Sequence, residues 1–561
     1  MAPEPQLTLR ALAWGGVLGC VLGVSNLYLG LQMGQAVSVG ITACLIALPL
    51  QRLLVRLAPR LFGRQLSLLE GCVLQTTASG AGFAVVSSLP SVVVAWMLTQ
   101  QQPIPRGTLL LWTLCTSLLG AFFGLALQRR FLQRGGMSFP SSVGVATTLR
   151  AVHSGQSSAP QVRALAIAGG AVSLLALVRD VVRWGPAQAI PSEPLMLVAV
   201  GALMGLRLAV SMLLGAVLCH GLLVPVLVDA GLLVSTDPYQ AIIHTAVPGT
   251  VLMASSAVVR VLYQGWLLVR SRARGEAVHE VPSADPAPEL FSRARSWWGM
   301  GVLSAASVWV AWQGFGVPWY QGVLAVGLSL ALTALAIRIV GETGMPPAPE
   351  VNQLASGLLI RGGISTQLAH SGLAFNSSAV GTDLLVNLKA GQLLGAGGRQ
   401  QFIAHVTGCV LGVLVLVPVF GLLVPDVSSL AVAGGRFAAP AGEQVKALAV
   451  MLNHGLRGLS SVGQWSVLLA AVTGGVLAIA ELLLPERLGR FVPSPIGMGV
   501  AFLLPPVVSL CVCVGGLVAW AVARRRPEAA EQWVLPAACG VLAVASLVLA
   551  LQQVLGSGPA P

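Results

Sequence analysis

Apolar runs long enough to cross a bilayer recur along the whole chain. They lie near 9–31, 35–57, 67–98, 107–128, 162–184, 193–209, 211–230, 240–269, 297–313, 318–340, 400–424, 464–484, 496–522 and 531–553. A helix rises about 1.5 Å per residue, so roughly 20 apolar residues match the hydrocarbon layer. The runs 193–209 and 297–313 are short by that measure. In lipid every backbone N–H and C=O must be satisfied within the protein, and runs of this length do so as helices. The pattern predicts an all-α polytopic membrane protein of about fourteen transmembrane helices, with twelve to sixteen compatible with the runs.

Five segments interrupt this pattern with Pro, Gly and polar residues while staying too apolar for aqueous loops. They are Glu70–Gly80, Phe139–Thr148, Gly341–Gln353, Asp383–Gln392 and Phe437–Lys446. Pro removes a backbone donor and Gly permits sharp turns. Irregular backbone at membrane depth persists only where protein or a hydrated cavity satisfies it. The segments are therefore expected to form broken helices or re-entrant hairpins along a solute path. The second and fifth share a loose order of Phe, Pro and Gly before an amphipathic stretch, as a two-half pseudo-repeat would.

Composition supports the membrane assignment. Of 561 residues, 55% are hydrophobic and only 9% charged, against about 25% charged in soluble domains. The net charge of +13 comes from 30 Arg and two Lys against 19 acids. Most of the Arg residues punctuate the ends of apolar runs, which argues for membrane orientation and against nucleic acid as a partner. Arg10, Arg52–Arg64, Arg129–Arg134 and Arg270–Arg274 fall on one side if the N-terminus is cytoplasmic. Leu9–Leu31 reads as a retained first span rather than a cleaved signal. The stretch 270–296, rich in charge, Ala and Pro, divides the chain into an N-terminal membrane half (1–269), a cytoplasmic linker (270–296) and a C-terminal membrane half (297–561).

Little in the sequence points to catalysis. There is no phosphate-binding GxxxxGK[ST] loop, no HExxH or HxxxH, and the Cys residues fit buried apolar positions rather than a metal site. No cofactor and no resident metal is expected. Gly15, Gly19 and Gly23, Gly201 and Gly205, and Gly391 and Gly395 are spaced to let helices approach closely.

Charge at bilayer depth is the most informative remaining signal. A charged side chain at a helix centre costs roughly 2.5–3.5 kcal/mol on the insertion scale. Both Lys residues fall in the interrupted segments: Lys389 lies six residues after Asp383, and Lys446 three after Glu443. Either the Lys residues meet a solute carboxylate or they pin a hairpin through an ion pair, as the spacing of Glu443 and Lys446 permits. Glu70 and Glu342 read either as proton or cation contacts or as groups near helix ends.

In order along the chain, these blocks resemble the oligopeptide transporter (OPT) superfamily, closest to its yellow stripe-like and prokaryotic branch. Asn26-Leu-Tyr28-Leu-Gly30-Leu31 is similar to N-x-Y-x-G-L-K-T-G. Glu70 to Ser79, with Gln75, is similar to L-E-N-N-x-x-Q-T-x-A-S. Phe139-Pro140 matches F-P-E-G, and Gly341-Glu342 with Pro347, Asn352 and Gln353 matches G-E-I-G…P…Q-L. Asp383-Leu-Leu-Val-Asn387-Leu-Lys389-Ala-Gly391 resembles D-M-M-Q-D-L-K-T-G. Phe437–Lys446 and Pro493–Pro505 resemble the C-terminal blocks. The resemblance implies a secondary transporter, a proton symporter in type, for oligopeptides or metal–chelator complexes. Its partners would be that solute, a coupling proton and membrane lipid, with homo-oligomerisation left open.

The candidate substrate-binding or coupling residues are Asn26, Tyr28, Glu70, Gln75, Glu342, Asn352, Gln353, Asp383, Asn387, Lys389, Glu443 and Lys446. Two departures stand out. Gln32-Met33-Gly34 replaces Lys-Thr-Gly, and Ser141-Ser142 replaces Glu-Gly, which points to different coupling or another solute. The alternative readings are a membrane-embedded enzyme, which lacks a recognisable nucleophile–base pair, and a channel, which predicts a continuous polar pore helix.

Overall fold

A computed structural model describes most of residues 5–33, 64–133, 137–153, 192–233, 293–344, 349–430, 437–453 and 460–534, with isolated positions between 39–57, 164–174, 241–270 and 537–541. These residues are helical, and no strand occurs among them. The long helices are α1 (Leu9–Met33), α2 (Leu68–Val86), α3 (Val94–Gln100) and α4 (Arg106–Gln128). Helices α5 (Pro140–His153), α6 (Ser192–Met204), α7 (Leu206–Leu218) and α8 (Val224–Asp229) complete the first part of the chain. The second part holds α9 (Arg293–Phe315), α10 (Trp319–Thr343), α11 (Pro349–Leu359) and α12 (Ile364–Leu394). It ends with α13 (Gly398–Leu423), α14 (Pro440–Asn453), α15 (Ser461–Leu483), α16 (Pro495–Ala501) and α17 (Pro506–Arg525).

Seven helical stretches among the described residues are long and apolar enough to cross a membrane: Leu68–Gln100, Arg106–Leu132, Leu206–Asp229, Trp319–Gly341, Gly398–Leu423, Ser461–Leu483 and Pro506–Arg525. The expected spans 35–57, 162–184, 240–269 and 531–553, and the linker core 271–292, lie largely or wholly outside the described residues. The outer helices carry their apolar side chains outward. Leu468, Leu469, Val472, Val476 and Ile479 on α15, and Trp298, Trp309 and Trp312 on α9, are exposed, as a lipid-facing surface requires.

Two of the five interrupted segments are unbroken helix. Glu70–Gly80 lies within α2, and Asp383–Gln392 lies within the 31-residue α12. Their polar residues hydrogen-bond to neighbouring helices, so the helical backbone is kept. The other three mark real breaks. Gly344 ends α10 in the left-handed conformation (φ 72°), and α5 and α14 start abruptly at Pro140 and Pro440.

The expected Gly faces also divide. A Cβ on Gly15 would lie 2.5 Å from the Leu74 carbonyl oxygen, and one on Gly19 2.7 Å from the Ala78 Cα. Bare backbone there lets α1 lie against α2. Gly205 instead breaks the chain between α6 and α7 with φ 87°, and Gly395 ends α12 with φ 78°. These two serve turns, not faces.

Some described elements of the first part recur in the second. α1 and α10 each have 25 residues, and α5 and α14 each have 14. Both short helices begin with Pro after a non-glycine residue at positive φ, Phe139 (43°) and Ala439 (45°). The Phe139 N–H donates to the Gly341 carbonyl at 2.9 Å and the Ala439 N–H to the Leu31 carbonyl at 2.8 Å. Leu31 and Gly341 are each third from the end of their 25-residue helix. Each short helix is thus fastened to the long helix of the other part. Further on, α6 (13 residues) precedes the 24-residue stretch Leu206–Asp229, and α16 (7 residues) precedes α17 (20 residues).

Helices α2 and α12 pack together in opposite directions. Gln75 meets Asn387, Ser79 meets Asp383 and Ser88 meets Asn376, so one number rises as the other falls. α2 and α12 therefore run antiparallel.

Candidate functional site

α12 lies at the centre of the bundle, against α2, α4, α10 and α13. It is buried along nearly its whole length, and its Gln, His, Asn, Ser, Thr and Asp residues face other helices instead of lipid. At 31 residues it spans about 46 Å at 1.5 Å per residue, enough to traverse a bilayer.

Close packing sets the geometry around it. A Cβ on Gly80 of α2 would lie 2.5 Å from the His405 carbonyl oxygen, and one on Gly408 of α13 2.9 Å from the Ala81 nitrogen. The backbones of α2 and α13 therefore nearly touch, which carries the polar side chains of both toward α12.

Asp383 anchors a buried network. The Ser79 hydroxyl donates to its two carboxylate oxygens at 2.8 and 2.9 Å, and the Asn387 amide donates to Oδ2 at 3.0 Å. Asn387 Oδ1 accepts from Gln75 Nε2 at 2.9 Å, and Gln75 Oε1 accepts from the Thr76 hydroxyl at 3.4 Å. Thr76 also donates to Gln401 Oε1. His405, fully buried on α13, places Nδ1 3.6 Å from Asp383 Oδ2, beyond a direct hydrogen bond. Three helices thus converge on one carboxylate, and the described partners of Asp383 include neither Arg nor Lys.

A second polar hub braces the same helix. Asn376 Nδ2 donates to the Thr116 and Ser117 hydroxyls at 2.8 and 3.0 Å, and Asn376 Oδ1 accepts from Ser88 at 3.3 Å. The Ser142 hydroxyl of α5 donates to the Val386 carbonyl at 2.8 Å, and Ser141 donates to the Gly344 carbonyl at 2.8 Å. The serines that replace Glu-Gly of the resembled block therefore tie α5 to α12 and to the end of α10.

The candidate residues distribute unevenly. Gln75, Asp383 and Asn387 come together in the network. Asn352 and Gln353 lie buried on α11, where Asn352 Oδ1 accepts from Ser378 at 3.5 Å. Asn26 is buried on α1 and Lys446 half-buried on α14, each already engaged in an interaction of its own. Lys389 is half-buried on α12, roughly 120° around the helix from Asp383. The side chains of Tyr28, Glu342 and Glu443 lie outside the described residues.

Glu70 stands apart, closing a capping box at the start of α2. Its Oε2 accepts from Ser67 N at 2.8 Å while Ser67 Oγ accepts from Glu70 N at 3.2 Å. Arg64 and Thr8 each donate to Oε1 at 2.9 Å.

Sequence reading did not single out Thr76, Ser79, Gln401, His405 or Asn376. A signal existed. Gln75 and Ser79, Asp383 and Asn387, and Gln401 and His405 are each polar pairs four apart, the last two with only apolar residues between them, the spacing that puts two side chains on one helix face.

Comparison with known proteins agrees with this architecture. The model of the family described as OPT oligopeptide transporter protein matches residues 6–551. A "Probable metal-nicotianamine transporter" of Arabidopsis thaliana is 26% identical over 390 residues, which cover 62% of this chain and 54% of that protein. One of Oryza sativa subsp. japonica is 27% identical over 210 residues, covering 36% of this chain and 30% of that protein. The matched region thus spans about half, or less, of these plant relatives. A "Putative oligopeptide transporter" of Haemophilus influenzae is 22% identical over 580 residues, covering 89% of this chain and 86% of its own length.

Proposed function

The chain belongs to the OPT oligopeptide transporter family, and on that premise we propose that it is a proton-coupled secondary transporter of peptide-like or metal-chelate solutes in the cell membrane. The observation that carries the coupling is Asp383. Its side chain, 10% exposed, sits where three helices meet, held by the neutral donors Ser79 and Asn387, with the His405 imidazole 3.6 Å away. An ionisable group at bilayer depth without a permanent countercharge is a natural proton carrier, because opening to water on either side changes the stability of its charged form.

The crossed fastening of two short helices to two long ones suits an inverted repeat, which would support alternating access. Two similar halves in opposite orientation can exchange conformations, so that a site between them faces each side in turn. The crossed fastening of α5 to α10 and of α14 to α1 supplies links that such rocking would carry with it. We further propose the division into halves 1–269 and 297–561, with a cytoplasmic N-terminus as the Arg pattern favours. No reaction chemistry is assigned: the relatives compared above carry transporter names, one for oligopeptides and two for metal–nicotianamine.

The test is uptake into proteoliposomes with and without an imposed pH gradient. Wild-type protein should accumulate solute against its gradient only when the pH gradient is present. The Asp383→Asn variant should still exchange solute at equilibrium but fail to concentrate it. Equal accumulation with and without the gradient would remove proton coupling from the reading.

A further inference from the structure

The seam between α11 and α12 contains polar side chains that the Asp383 network does not use. Gln353 and Ser356 on α11, and Gln367, His370 and Ser371 on α12, are all at most 3% exposed. These helices are consecutive among the described elements and pack against each other. Gln353 Nε2 and Oε1, Ser356 Oγ, Ser371 Oγ, Gln367 Oε1 and both ring nitrogens of His370 have no hydrogen-bond partner among the described residues.

The amides and hydroxyls at the centres of the neighbouring hubs are paired. Asn376, Asn387, Gln75 and Ser79 all find partners among adjacent helices. Buried polar atoms in native proteins are paired in the great majority of cases. Open atoms also occur beside Asp383, at Gln401 Nε2, Thr382 Oγ1 and both His405 ring nitrogens, but five side chains with open donors or acceptors on one helix pair suit a place that something polar enters.

We propose that the α11–α12 seam is the solute seat of this transporter, and that it takes the uncharged, amide-bearing part of a peptide-like solute. The inference rests on the transport reading above and adds where the solute sits and by what chemistry it is held. The Gln353 carboxamide offers a donor and an acceptor side by side, which matches an amide N–H and C=O in one plane. The two hydroxyls rotate to donate or accept, and the His370 ring offers both functions across its two nitrogens. None of these five side chains is an acid, Lys or Arg. These five described side chains therefore offer no Lys or Arg to bind the carboxylates of a metal chelate through charge-assisted hydrogen bonds. α12 then serves two purposes along one rod: its first half holds the solute, and its second half carries Asp383.

The experiment uses the full chain in proteoliposomes with radiolabelled trialanine as probe, and Fe(III)–nicotianamine as the competing chemistry. Solute exchange at equal pH on both sides is measured, so proton coupling does not enter. Gln353→Leu and Ser371→Val should each raise the KM for trialanine about tenfold, the loss expected for one good hydrogen bond. Their maximal exchange rate should hold. Gln353→Asn, which keeps a carboxamide, should keep most of the affinity and serves as the folding control.

In parallel, Ser356→Cys should react with a small polar methanethiosulfonate reagent above the wild-type cysteine background, and trialanine should slow that reaction. Unchanged KM in the Gln353 and Ser371 variants, or an inert Ser356→Cys, would overturn the seam as solute seat. Protection by Fe(III)–nicotianamine but not by trialanine would overturn the amide assignment. If wild-type protein exchanges neither probe, the transport reading fails, and the labelling result still decides whether the seam is hydrated.

Discussion

The Asp383 network makes a sharp prediction about two substitutions at one position. In Asp383→Asn one carboxylate oxygen becomes an NH2 donor. If that donor takes the place of Oδ2, it faces the Asn387 Nδ2 donor across 3.0 Å. Rotating the Asn387 carboxamide removes the clash but turns its Nδ2 toward Gln75, whose Nε2 now sits 2.9 Å from Asn387 Oδ1. Gln75 must rotate as well, and its Nε2 then donates to the Thr76 hydroxyl. That hydroxyl already donates to Gln401, so it has a lone pair to receive the bond. The whole chain of bonds reverses and every member stays satisfied, so stability should change by less than about 1 kcal/mol.

Asp383→Leu permits no such reversal. The Ser79 hydroxyl and the Asn387 amide each lose an acceptor in a buried site. At about 0.6 kcal/mol on average and up to 1.7 for a hydrogen bond within a membrane bundle, the loss is roughly 1–3 kcal/mol. The assay is thermal unfolding of purified wild-type, Asp383→Asn and Asp383→Leu protein in one detergent, paired with gradient-driven uptake. The Asn variant should melt with the wild type and the Leu variant clearly below both, while neither concentrates solute. An Asn variant that melts as low as the Leu variant would refute the reversible network, and one that concentrates solute normally would refute the coupling role.

Three further outcomes are expected. Lys389→Ala should abolish uptake while membrane insertion and gel-filtration profile stay normal; wild-type flux would exclude Lys389 from the path. Gly408→Leu should force α13 away from α2, because even a Cβ there would lie 2.9 Å from the Ala81 nitrogen. Overpacking of this kind costs typically 1–3 kcal/mol, and a melting temperature equal to wild type would show that the two helices do not approach so closely. Ala439→Gly should stabilise the protein by about 1 kcal/mol, since Ala439 holds φ at 45°, where a Cβ is penalised. An unchanged or lower melting temperature would mean that the strain is relieved elsewhere.

Much of the architecture was readable along the chain. Helices at Arg106–Gln128, Trp319–Thr343, Gly398–Leu423 and Ser461–Leu483 fall within a few residues of apolar runs. The breaks before Pro140 and Pro440 fall where Pro and Gly interrupt those runs. At both places the residue before Pro holds a positive φ and donates to a carbonyl near the end of a distant long helix, which pairs Phe139 with Ala439 and not with Phe437. Hydropathy worked here because lipid selects for apolar surface and each outer helix meets lipid directly.

The central helix escaped that logic. α12 contains too many polar residues to read as a span, and its second half read as a broken segment. It is nonetheless a continuous helix of 31 residues, because other helices surround it and their side chains satisfy its polar groups. Glu70 read from the sequence either as a proton or cation contact or as a group near a helix end, and in the fold Ser67, Arg64 and Thr8 engage its carboxylate at the start of α2. Sequence alone fixed the solvent of the outer surface, the class of fold and the places where helices stop, since each depends on the transfer energy or backbone freedom of nearby residues. Only the tertiary structure decided which polar residues share a site, because a hydrogen bond between Gln75 and Asn387, or a carboxylate between Ser79 and His405, depends on helices brought together from distant parts of the chain.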